Sequence, residues 1–472
     1  MSLAQIAILI GLAVLIGRLK RARQHALLAV STAAIFWLQP AEPVATLGYW
    51  LPFGTMALAV VAWAFTAEPG ARSWRKNWVS AALMIGIVAA IQVDGASSRL
   101  LSAAVISPPV SYVLLGSLAV VGLLALGVRV RAGRTVLSVG LAAVLVVAFI
   151  ILKTPGLANV IVTGLRSHVA GGDPSPIQGA ISWLGFSYVA FRLLHTIRDS
   201  QAGRLPELTL GEYVNYVIFF PSFTAGPIDR AERFVKELRQ PLVLTNDDWL
   251  DAGTRLVFGL FKKFVLADLL AVISINDVVV PRIHGAGWMW LFLYAYAFRI
   301  YFDFSGYTDM AIGMGRLMGI RLPENFDSPY LKQNIALFWN AWHMSLTQWF
   351  RSYVFNPLTR SLRSSPRPLP TWTAILITQV VTMVLIGLWH GITTSFALWG
   401  LWHALGLFAH NRWSLWSRAA LPDSWQTAGG TPLAGVLGTF LTFNYVAVGW
   451  LLFGLSSPAL AWGALRVMVG AG

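Results

Sequence analysis

The chain has 472 residues, of which 56% are hydrophobic and only 12% charged, about half the charged fraction of a soluble protein. The 35 Lys and Arg against 20 Asp and Glu leave a formal net charge of +15. These bases fall in short loops between apolar runs, where they set orientation and meet anionic lipid headgroups rather than nucleic acid. The lack of cysteine excludes disulfides, cysteine-ligated zinc and a cysteinyl covalent intermediate.

Apolar runs of bilayer-crossing length begin at once and recur along the chain, which predicts an all-α polytopic membrane protein. The first expected spans are Leu3–Gly17, Ala26–Leu38, Val44–Thr66, Trp78–Val93, Val110–Val128, Val136–Leu152 and Ile177–Leu194. Leu3–Gly17 has no basic stretch before it and a basic one after it, the order of a first membrane helix with its N-terminus outside rather than a signal peptide. Basic loops at Arg18–Arg23, Arg72–Lys76, Arg129–Arg134 and Arg192–Arg204 alternate with base-poor ones at Gln39–Pro43, Asp94–Pro109 and Lys153–Pro176. The basic set is expected in the cytoplasm.

The later part is less regular. Gly211–Ala225 is apolar but broken by Pro221 and Gly226-Pro227, the punctuation of a re-entrant or interfacial segment. Arg230–Arg239 is basic and polar, and Ala252–Ile275 and Ala286–Phe304 read as spans. Asp303–Pro370 is rich in aromatics and charges, with no clean span. Thr371–Trp389, Ser395–Ala409 and Leu433–Phe453 follow, with Arg412 and Arg418 in an expected inside loop, and Ala459–Val469 as one more short helix. The total is about 11–13 spans plus re-entrant or interfacial helices. No internal repeat points to an inverted-repeat transporter. The expected division is 1–176 as N-terminal helices, 177–410 as a motif-bearing core, and 411–472 as C-terminal helices.

Ionisable groups inside membrane segments are costly and so point to function. His390 closes an apolar span in Gly387-Leu-Trp-His-Gly391, with Gly391 placed as a helix C-cap. A buried neutral imidazole there suits a general base. The competing reading is a histidine favoured by the helix dipole. His343 lies in Phe338–Arg351, where helical spacing puts Phe338, Trp342, Ser345 and Trp349 on one face and His343, Thr347 and Phe350 on another. An amphipathic interfacial helix with an aromatic belt is the bland alternative. His403, after Trp402, can face the same cavity as His390, although a packed helix histidine accounts for it more simply. His25, His195 and His410 sit at span ends or in basic loops and read as solvated. Asp303 and Asp309, with Arg299 nearby, read as paired carboxylates that hold helices together. No spacing suggests a metal site, a P-loop or a dinucleotide fold.

Taken together, the blocks are distinctive. Phe220-Pro-Ser-Phe-Thr-Ala-Gly-Pro-Ile228, Tyr301–Arg316, Pro323–Tyr330, Phe338–Pro357 and Gly387–His403 resemble, in order and spacing, the motifs of bacterial membrane-bound O-acyltransferases. The nearest branch resembles the alginate O-acetylation and teichoic-acid D-alanylation proteins. Ala341 and Ser352 stand where that pattern commonly has Arg and Asp. The resemblance implies a ring of helices around a thin centre with a funnel or tunnel, His390 as the catalytic histidine, and His343 as the second histidine across the reaction centre.

The resulting expectation is an enzyme of a bacterial inner membrane that binds no cofactor. It moves an acyl group, most often acetyl, from a cytoplasmic thioester (acetyl-CoA or an acyl carrier protein) to a hydroxyl of an extracytoplasmic polysaccharide, with His390 as base. Asn340, Trp342, Ser345, Trp349, Trp389 and His403 are candidates for lining the tunnel, and Ser345 also for an acyl intermediate. An esterase-like extracytoplasmic partner is compatible with this scheme. The rivals are D-alanyl transfer to a wall polymer, and a non-catalytic acyl-conducting or transport subunit.

Overall fold

The computed structural model describes residues 1–20, 22–44, 46–97, 106–129, 134–169, 181–420 and 431–471. These residues form helices and one isolated bridge, Phe326 to Trp342. Five helices among them are long and apolar enough to cross a membrane: Leu47–Thr66, Trp74–Asp94, Thr135–Lys153, Thr371–His390 and Pro432–Gly454. Leu3–Arg18 and Val110–Ala125 are shorter apolar helices. The other expected spans fall on short, interrupted or charge-bearing helices. The chain divides into two compact units, residues 1–256 with 310–322 and residues 257–309 with 323–472. The expected boundary at 176/177 lies outside the described residues.

The first unit opens with α1 (Leu3–Arg18), α2 (Arg23–Trp37) and α3 (Leu47–Thr66). It continues through α4 (Trp74–Ser97), α5 (Val110–Arg129), α6 (Arg134–Lys153) and α7 (Pro155–Val169). Helix α7 occupies what the sequence suggested was a loop at Lys153–Pro176. Its low overall hydropathy hid it, while Pro155 at its first position is a favourable helix start. Then come α8 (Phe186–Gln201), α9 (Leu210–Val217), α10 (Ala231–Arg239) and α11 (Asn246–Phe261). Capping boxes start α1 at Ser2 and α9 at Thr209.

Two supposed loop bases are buried in this unit. Arg23 donates to the carbonyls of Met318, Leu238 and Gln240. Arg192, on α8, is 1% exposed and donates to the carbonyls of Tyr216, Val217 and Ser222 and to the Ser222 hydroxyl. Carbonyls at the end of α9 have no helical partner, so the guanidinium closes that end and fixes the turn that opens the first motif block. His195 is also buried rather than solvated. Its Nε2 lies 3.0 Å from the Tyr216 hydroxyl, which donates to the Asp229 carbonyl at 2.9 Å.

In the second unit, α11 runs through a π-helical stretch, Lys262–Ala267, into α12 (Asp268–Val272). Beside this stretch lies α13 (Ala286–Leu317), as far as Asp309 within this unit. Lys262 pairs with Asp309 and Lys263 with Asp303. The carboxylates thus join helices through these lysines, although Asp303 is exposed rather than buried as the expected pairing implied. Short helices α14 (Ile335–Ala341), α15 (Met344–Phe350) and α16 (Asn356–Arg363) follow. The long ones are α17 (Thr371–His390), α18 (Thr394–Ala420) and α19 (Pro432–Gly454), and α20 (Pro458–Met468) closes the chain. Arg412 and Arg418 lie on α18 rather than in a loop.

Helices α17 and α18 pack backbone to backbone. A methyl group added at Gly387 would meet the Phe396 carbonyl, and one at Gly400 would meet the Met383 carbonyl. Such close approach is open only to glycine.

Candidate active site

The second unit gathers both candidate histidines around one indole. His390 is the last residue of α17. Gly391 after it is the C-cap, as the sequence suggested, in an extended conformation with φ −177°. Around the His390 ring stand Trp389, Phe396, Trp399 and Phe453, with centroids 4.6–5.9 Å away. His343 also lies beside Trp389, 6.1 Å from its ring. Phe304 packs against His343 at 4.7 Å.

His343 does not sit within a helix. Helix α14 ends at Ala341, Trp342 is extended, and His343 takes φ 42°, ψ 53° before α15 begins. The single amphipathic helix expected over Phe338–Arg351 is therefore two seven-residue helices with a kink at the histidine. The face-sharing read across Trp342 and His343 does not hold. A left-handed non-glycine residue is costly and points to a site where strain is retained.

His343 is 2% exposed, and neither ring nitrogen has a hydrogen-bond partner among the described residues. Burial, with the neighbouring His390 as a second cause, holds its imidazole well below the usual histidine range. The ring is therefore neutral, with one N–H donor and one nitrogen lone pair uncommitted.

The remaining candidates separate into two groups. Trp342 packs between Phe326, Phe338 and Trp450 beneath the kink. His403 is fully buried, and its Nδ1 accepts from Trp339 Nε1 at 3.3 Å, beside Trp399. Its Nε2, like both ring nitrogens of His343, has no hydrogen-bond partner among the described residues. Ser345 donates its hydroxyl to Asn325 Oδ1 at 2.6 Å and is 5% exposed. Trp349 meets Phe350 edge-on and packs at a tilt against Tyr353. Asn340 is exposed and accepts from Arg351 at 2.7 Å.

Asn340 does line a cavity of about 230 Å³ with Thr347, Arg351, Gln379, Thr382 and Ile386. Ile386 lies one turn before His390 on α17, so the cavity opens on the helix face that leads to that residue. Sequence reasoning missed Gln379, Thr382, Phe396, Phe453 and Asn325. Of these, only Phe396 and Asn325 lie within quoted motif blocks. Among the described residues, no three imidazole or carboxylate groups converge as a metal site would require.

An all-α polytopic membrane protein with two aromatic-walled histidines, His343 buried and His390 half-buried, defines a narrow class. The model of the MBOAT, membrane-bound O-acyltransferase family, matches residues 138–449. The chain belongs to this family and is an O-acyltransferase. The matched region begins before and ends after the 177–410 core expected from the motifs.

Similar proteins include a teichoic acid D-alanyltransferase of Streptococcus thermophilus, 34% identical over 58% of this chain and 69% of that protein. A probable alginate O-acetylase AlgI of Pseudomonas aeruginosa is 31% identical over 73% of this chain and 62% of its own. A peptidoglycan O-acetyltransferase of Helicobacter pylori is 31% identical over 55% and 46%. The chain thus spans less than two thirds of the last two relatives.

Proposed function

We propose that this enzyme transfers an acyl group, acetyl in the favoured reading, from a thioester to a hydroxyl of an envelope polysaccharide or wall polymer. His390 is the general base. The acceptor oxygen attacks the thioester carbonyl carbon while His390 takes its proton, and the C–O bond forms as the C–S bond breaks. The departing sulfur receives the proton from His390, so that no proton is gained or lost overall. The uncommitted N–H of His343, beside Trp389, stabilises the developing oxyanion. The observation that carries this reading is the pair of histidines that both pack against one half-buried indole, Trp389, one of them with no other hydrogen-bonding task.

The cavity beside Ile386, walled also by Trp339, Phe355, Met383 and Leu407, suits the amide-bearing arm of a thioester donor, acetyl-CoA or a carrier protein. Asn340, Thr347, Gln379 and Thr382 offer it donors and acceptors. In this scheme the donor arrives from the cytoplasm and the acceptor from outside a bacterial inner membrane, with the N-terminus outside. The names of the relatives support both acetyl and D-alanyl transfer to such polymers.

The test is to express His390→Ala in cells lacking the native protein and to measure polymer acylation by mass spectrometry. Loss of product with normal membrane levels is expected. Undiminished product would favour a non-catalytic acyl-conducting subunit working with an extracytoplasmic transferase. The mass increment separates acetyl from alanyl.

A further inference from the structure

We infer that Asn325 is a positioning residue for His343, acting as a borrowed helix cap. His343 occupies the N-cap position of α15, where Ser, Thr, Asp or Asn normally satisfies the first free N–H groups. Its own side chain makes no cap bond. Asn325, fully buried and 18 residues earlier, supplies the missing acceptors. Its carbonyl accepts from Met344 N at 2.9 Å, and its Oδ1 accepts from Ser345 N at 3.2 Å and from Ser345 Oγ at 2.6 Å.

The next two residues tighten the same clamp. Phe326 bridges to Trp342, and Asp327 N donates to the Ala341 carbonyl at 3.0 Å. Residues 325–327 thus grip the chain on both sides of His343 and hold it at φ 42°. Because the cap comes from elsewhere, the imidazole is released from local hydrogen bonding and turned between Phe304 and Trp389.

Asn325 uses only its oxygens in this role. Its Nδ2 has no hydrogen-bond partner among the described residues. An aspartate would therefore keep the side-chain acceptor and lose no bond, with the Ser345 N–H and O–H still donating to it.

This inference rests on the proposed role of His343, and the experiment separates the two. Asn325→Ala, Asn325→Asp and His343→Ala are expressed in full-length protein, and polymer acylation is measured per unit of folded protein in the membrane. Asn325→Ala is expected to lose about 10–100-fold, the scale of a small misplacement of a reacting group. Asn325→Asp is expected to recover most of that loss, whereas His343→Ala stays about 10²-fold below the wild type.

Near-normal acylation by Asn325→Ala beside an impaired His343→Ala would overturn the positioning role and leave the function standing. Equal impairment of Asn325→Asp and Asn325→Ala would overturn the capping account. A fully active His343→Ala would instead overturn the role given to that histidine. If Asn325→Ala does not accumulate, Asn325→Ser replaces it, because its hydroxyl is too short to reach Ser345 and the same loss is expected.

Discussion

His195 and His343 are both buried histidines, and they differ in what surrounds their nitrogens. In the first unit, His195 sits beside the Tyr216 hydroxyl, next to an arginine bonded to three carbonyls. In the second, His343 is enclosed by carbon and has no hydrogen-bond partner among the described residues. A buried polar group without a partner costs free energy, and the role proposed for His343 gives its nitrogens a task. On that proposal the pair separates a histidine that builds the protein from one held ready for a substrate, a distinction that burial alone does not draw.

The largest effect that tests this contrast is expected at the reaction centre. His390→Ala should lower acyl transfer by ~10³-fold, within the range of a lost general base, and His343→Ala by ~10²-fold, as for a lost oxyanion donor. His195→Ala should instead lower the thermal midpoint of the purified protein and leave acylation per folded molecule unchanged. A catalytic loss in His195→Ala as deep as that in His343→Ala would erase the distinction.

A smaller effect is expected from Arg192→Met, which keeps the bulk of the side chain and strands the carbonyls that close α9. The expected cost is ~3 kcal/mol of stability, read as a lowered unfolding midpoint in detergent with normal turnover of the surviving protein. Smallest is the Lys262–Asp309 pair, a partly exposed contact at 2.7 Å. A double-mutant cycle should give a coupling below ~1 kcal/mol. A markedly larger value would make this carboxylate part of the working site rather than a strut.

The distribution of charge and apolar runs was enough to read the membrane class, and the five full-length spans lie where those runs do. The order of the motifs led to both histidines and to the family. Conformation at single residues was not legible. The kink at His343 depends on acceptors from Asn325, a contact between chain segments with no local signal. Arg192 and His195 read as loop residues because charge marks solvent only when no backbone carbonyl is waiting for it. Helix α7 escaped for a different reason, since its mixed polarity looks like a loop to any criterion built on hydropathy.

The backbone contact between α17 and α18 has a further consequence. The residue proposed as the base stands three positions beyond Gly387, whose register against α18 is set by main-chain atoms. Side chains facing the cavity beside Ile386 can therefore be exchanged to admit a different thioester donor without moving the imidazole. Placement of the proposed base and choice of donor become separate engineering problems on this scaffold, and a variant library confined to Asn340, Thr347, Gln379 and Thr382 explores the second while leaving the first intact.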